Sequence, residues 1–190
     1  MRIRNVTEAE MTDEQKTVLR GIDEGRAGIS NRTNDPEGPF PLLLRRPALA
    51  DATQKLGLYV RLGSSLSPRI MELAVILAAR HRDAQYVWVA HRRHALNAGL
   101  DERIADDLSQ LKRPANMKDD EEATYQFCTE LNEQKKVSDE TYRRAVACFG
   151  EEGVIDLVAA YGYFSTLAML LNVNESRPAG GPLMAVLHDT

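Results

Sequence analysis

The sequence predicts an all-α protein. Apolar residues recur at three- and four-residue intervals in segment after segment. No sustained period-two alternation occurs, and no Asn-Gly or Asp-Gly pair joins two β-branched runs. Ser, Thr, Asp, Pro and Gly stand where helices of that periodicity should start and stop.

Thr7 with Glu10, and Thr12 with Gln15, fit the reciprocal side chain–backbone pattern of a helix N-terminus. A first helix is therefore expected over about 12–24, stopping near Gly25. The stretch 26–41 holds Asn31, Asn34, Pro36, Gly38, Pro39 and Pro41 and is expected to be a loop, long enough to be functional. Pro47 suits the first turn of a helix that runs to about Leu62 and closes at Gly63. Ser67-Pro68 pairs a capping residue with a first-turn proline, and a helix follows over about 68–81. Its Ile70, Leu73, Ala74, Ile76, Leu77 and Ala78 leave little polar circumference, which places it centrally. Asp83 is expected to cap a helix over 84–98 that ends at Gly99, and Asp101 to start a short one reaching about Leu111. After a polar linker at 112–120, helices are expected over about 119–135, 138–149 and 151–172, with Ser138 and Gly150 as punctuation. A Pro/Gly tail begins at Ser176. The acidic run Asp119–Glu122 sits where it favours a helix dipole.

Composition narrows the classes. With 43% hydrophobic and 27% charged residues, the 190-residue chain can build an ordinary globular core. Acids outnumber bases 28 to 24, which argues against a nucleic-acid binder built on a broad basic surface. Two cysteines are too few for a disulfide scaffold or a four-Cys zinc site. Cys128 and Cys148 lie among apolar neighbours and are expected to be buried structural thiols. The apolar stretches are read as interrupted by charge short of the ~20 residues a bilayer span needs, and the N-terminus lacks the apolar core of a secretory signal. The expectation is a cytoplasmic protein without membrane or nucleic-acid partners.

Chemistry concentrates in 80–94, which holds the one Trp and three of the four His residues. On a helix, Ala84, Val87 and His91 form one stripe, with Trp88 and His94 about 60° to its side. His91 therefore leans inward on a face of small and apolar residues. Glu72 lies in the apolar helix before it, and a buried carboxylate needs a partner. A Glu72–His91 pair would answer that need and could do acid–base work near neutral pH, or could simply be a structural polar tie. His91-x-x-His94 with Glu72 is a weaker metal reading, unsupported by any HExxH or Cys set, so no metal and no cofactor is expected. No glycine-rich phosphate loop and no Gly-x-Ser-x-Gly elbow occurs.

Three stretches carry a resemblance: Met71–Arg80 with its Glu72, then Tyr86-Val87-Trp88-Val89-Ala90-His91, then Ala95-Leu96-Asn97-Ala98-Gly99-Leu100. With 137–152 and 156–172, they resemble the carboxymuconolactone decarboxylase family of the alkylhydroperoxidase-D-like (AhpD-like) superfamily. The resemblance implies a single domain over 1–190, with an N-terminal helix and loop (1–40), a family core (41–175) and a tail (176–190). It implies an alkylhydroperoxidase-D-like helical bundle that self-associates as a trimer or hexamer. In the redox branch of that superfamily a Cys-x-x-Cys pair lies between the Glu and the His. Here those two positions are Ala84 and Val87, so thiol peroxidase chemistry is not expected. The decarboxylase branch acts on 4-carboxymuconolactone in aromatic catabolism, giving CO₂ and an enol-lactone. On that resemblance His91 would transfer the proton, with Glu72 orienting it. Tyr86 and Trp88 would shape the pocket, and Arg80 or, alternatively, Arg45 or Arg46 would pair with a substrate carboxylate. A lactone hydrolase or isomerase using the same pair, and a non-catalytic oligomeric binding protein, are the alternatives.

Overall fold

In the computed structural model, residues 1–25 and 35–185 are described, and among them every regular element is helical. A 3₁₀ turn (Glu8–Glu10) precedes α1 (Asp13–Gly25). Then come α2 (Pro39–Leu43), α3 (Pro47–Leu58) and a π-helical turn (Tyr59–Gly63). The rest of the chain forms α4 (Pro68–His81), α5 (Gln85–Asn97), α6 (Glu102–Ser109), α7 (Asp119–Gln134) and α8 (Asp139–Asn174). The all-α expectation is borne out, with 71% of the described residues helical and no strand among them.

The helix starts follow the sequence closely. Thr12 and Gln15 exchange hydrogen bonds at 2.8 and 3.2 Å, Ser67 Oγ accepts from the Ile70 amide, and Ser138 Oγ accepts from the Thr141 amide. Asp83 is the exception. It takes a left-handed conformation (φ 49°), and its carboxylate pairs with Arg80, so Ala84 takes the cap position instead. Most of the 26–41 loop lies outside the described residues, but Pro39–Leu43 is a short helix, which its two prolines had masked. Its Phe40, Leu42 and Leu43 are buried, and that burial outweighs weak local propensity.

The core is organised around α4. Every residue from Ile70 to Arg80 is buried, and α5, α7 and α8 pack against it. Asp120 (2.6 Å) and Glu121 at the start of α7 both accept from Arg69, so the acidic run ties α7 to the first turn of α4 as well as favouring the dipole. The tail docks back on the bundle. Gln85 and Met184 exchange side chain–backbone bonds, Arg80 donates to the Ala185 carbonyl, and the Ala185 amide donates to that of Ser109.

Gly150 interrupts α8 with φ 70° and ψ 173°, separating a first segment from the long core segment, as its position in the sequence suggests. A Cβ at Gly150 would meet nothing within 4 Å, so only the backbone opposes substitution. Gly150→Ala is expected to lower unfolding stability by about 2 kcal/mol through strain alone, read from urea titration.

Two sequence expectations are corrected here. Cys148 is exposed, because the first segment of α8 buries little more than its Thr141–Ala145 stripe. From Val154 to Asn174, α8 carries a single charge, Asp156, and the helix is long and apolar enough to cross a membrane by length and composition. In this fold 61% of that window is buried against the protein, and Asp156 accepts bonds from Tyr59 and Ser65.

Candidate active site

Glu72 and His91 come together. Glu72 lies one turn into α4 and His91 midway along α5, and their buried side chains meet with Nδ1 2.7 Å from Oε2. Burial pushes the Glu72 carboxyl up. Attraction to His91 and its hydrogen bond, then Arg61, more than offset this and hold it below the usual carboxylate range. An ionised carboxylate only accepts, so Nδ1–H is the donor in this contact. The free base position is then Nε2, which has no hydrogen-bond partner among the described residues. Phe164 of α8 packs edge-on against the ring at 4.7 Å between centroids and fixes its plane. His94 stands 5.6 Å from His91, its own imidazole pushed toward the neutral form by burial and then by His91.

The sign of the Glu72 shift makes a testable statement about stability. A carboxyl whose folded pKa is depressed contributes stability that is fully present above its unfolded value, about 4.3. That contribution is lost as pH falls through the lower folded value. Wild type is therefore expected to lose more stability than Glu72→Gln when taken from pH 6 to pH 3, measured by paired urea titrations. Parallel curves would mean that Glu72 is not held ionised.

The other sequence candidates are spread along α4, α5 and the stretch between α2 and α3. Arg80 is two turns further along α4, about 12 Å down the axis. Its buried guanidinium is held by Asp83 and by the Ala185 carbonyl (2.5 Å). Arg45 and Arg46 are exposed, and Arg45 donates to the Arg4 carbonyl at 2.6 Å. Tyr86 is buried on the first turn of α5 and donates to Asp35 at 2.8 Å. Trp88 is fully buried, and its indole N–H finds no partner among the described residues. His81 pairs with Tyr161 (2.8 Å), and burial, then Arg82 and Arg80, push its pKa down to about 4. Among the described residues no three His, Cys, Asp or Glu side chains form a metal-holding group.

Sequence reasoning missed Arg61 and Phe164. Arg61 Nη1 lies 3.9 Å from Glu72 Oε1, and the guanidinium stands 5.6 Å from the centroid of Phe164. One signal could have revealed it: Arg61 is the lone charge in Leu56–Leu62. Phe164 has no such signal, being one of several aromatic residues along α8.

Ala84 and Val87, where the resemblance places the redox-branch cysteines, are both buried. Burial pushes the Cys128 thiol well up, and burial with Asp120 and Asp119 raises that of Cys148. Neither cysteine is activated as a thiolate.

Compared with known proteins, the chain matches no family model and no curated protein. It is similar in structure to a protein of unknown function from Agrobacterium tumefaciens, a candidate antioxidant-defence AhpD protein. The TM-score is 0.65 at 18% identity, over 73% of this chain and 96% of that one. The fold is therefore AhpD-like.

Proposed function

We propose that this chain is a cofactor-independent carboxy-lyase acting on 4-carboxymuconolactone or a related small unsaturated lactone or carboxylate. The observation that carries the reading is the 2.7 Å Glu72–His91 pair, which leaves Nε2 free for proton transfer. In such a reaction the C–C bond to the carboxylate breaks, CO₂ leaves, and the electron pair enters the conjugated lactone. The resulting dienolate must take a proton at carbon. His91 Nε2 would deliver it, and the Glu72 carboxylate at Nδ1 would balance the charge on the ring while Nε2 is loaded. The absence of sulfur at positions 84 and 87 favours this over the thiol chemistry of the redox branch.

The proposal includes self-association in the cytoplasm. Ile155, Val158, Met169 and Val173 on the outer face of α8 are exposed, as are Leu49, Leu56 and Leu62 of the α3 region. A second copy of the chain would cover this apolar surface. The direct test is purified protein with 4-carboxymuconolactone, following lactone loss and CO₂ release together. Stoichiometric CO₂ supports the lyase. Ring opening without CO₂ points to a hydrolase, and stabilisation without turnover to a binding protein.

A further inference from the structure

Arg61 is held in place with its hydrogen-bonding capacity unfilled. It sits on the π-helical turn Tyr59–Gly63, and both flanks of that turn are tied to Asp156 of α8. The Tyr59 hydroxyl donates to Oδ1 at 2.7 Å, and the Ser65 amide and hydroxyl donate to Oδ2 at 2.7 and 2.8 Å. A π turn widens the helix by one residue and shifts the next residues out of α register, and such turns are frequent at functional sites. Here the turn carries Arg61 to the ring face of Phe164, the same ring that braces His91.

The side chain is only 14% exposed, yet none of its five N–H donors meets an acceptor within hydrogen-bond range among the described residues. Glu72 Oε1, at 3.9 Å, balances the charge but is too distant to accept a bond. The Nε–H is completely buried and unpartnered. A nearly buried guanidinium with every donor open is uncommon, and its planar fork matches a carboxylate.

We propose that Arg61 is the specificity-determining residue of the His91 site, its fork receiving the carboxylate of a small organic acid and setting the adjoining carbons toward Nε2. The inference rests on the reading of Glu72–His91 as a reacting pair, and it offers Arg61 for anion recognition in place of Arg80, which is engaged by Asp83 and the Ala185 carbonyl, and of exposed Arg45. It does not depend on which bond the enzyme breaks.

The test uses cis,cis-muconate and its dimethyl ester as probes, with binding read from the His91 ring signals by NMR. Wild type is expected to bind the dicarboxylate at least about tenfold more tightly than the ester, the scale of a charge-assisted bidentate contact. Arg61→Gln should abolish that preference while leaving ester binding unchanged, and Arg61→Lys, which keeps charge without the fork, should fall between. A merely structural arginine would alter both probes equally. Far-UV circular dichroism checks that each variant is folded, and Arg61→Lys carries the comparison if Arg61→Gln is not. Wild type that binds neither probe at about 10 mM, tenfold above millimolar affinity, overturns the proposal, as does unchanged preference in the variant. Selective muconate binding without any lactone turnover would keep this inference and remove the lyase reading. Turnover with an unchanged KM in Arg61→Gln would do the reverse.

Discussion

On the proposed lyase reading, His91→Gln is expected to reduce lactone turnover by about 10²- to 10⁴-fold, the usual worth of a positioned proton-transfer group, with mass in solution and helix content unchanged. Gln is chosen because it is polar and fits a half-apolar site whose walls are Phe164 and Glu72. It can still donate an amide hydrogen to Glu72, so the buried carboxylate is not stranded. It has no proton to deliver at the Nε2 position. Glu72→Gln should act more mildly and differently. The neutral amide does not favour the tautomer with the proton on Nδ1, so kcat should fall and its pH profile should move. Parallel kcat and pH profiles on the two variants, with the melting temperature of each, separate proton transfer from loss of fold. His91→Gln with wild-type kcat would end the catalytic assignment of the pair.

Trp88→Ala is expected to destabilise the chain by about 4 kcal/mol, in the range for emptying a fully buried large aromatic. Trp88→Phe should cost markedly less, since no indole hydrogen bond among the described residues is lost and only volume changes. The contrast matters because the resemblance assigns Trp88 to the substrate pocket. A residue that lines the pocket directly should alter KM when it becomes Phe. A residue packed behind the pocket should alter unfolding and leave KM within about twofold, since a conservative core swap perturbs stability first. The full burial of Trp88 favours the second outcome, measured by urea unfolding beside steady-state kinetics.

Several features were legible because they are local. The capping pairs at Thr12 and Ser138, the Ser67-Pro68 start and the Gly150 break each depend on residues within one turn of each other. The centrality of α4 could be read because a helix without a polar face has nowhere to go but the core. The Glu72–His91 encounter was legible from two arguments taken together: a carboxylate in an apolar helix must be paired, and the stripe at 84, 87 and 91 turns the histidine inward.

The sequence could not supply the use to which each long side chain is put. Several arginines were visible near the motif or loop, and the sequence offers no means of ranking them. The fold engages Arg80 with Asp83 and the docked tail, leaves Arg45 and Arg46 on the surface, and brings the overlooked Arg61 beside Glu72 through a π turn anchored far along the chain at Asp156. Cys148 turned outward for a related reason: its apolar neighbours describe the chain, whereas its exposure depends on whether another helix covers that face. Helical periodicity and capping are short-range consequences of backbone geometry, and these the sequence alone determined. Which polar groups share a site depends on contacts between elements far apart in the chain, and only the tertiary structure decided them.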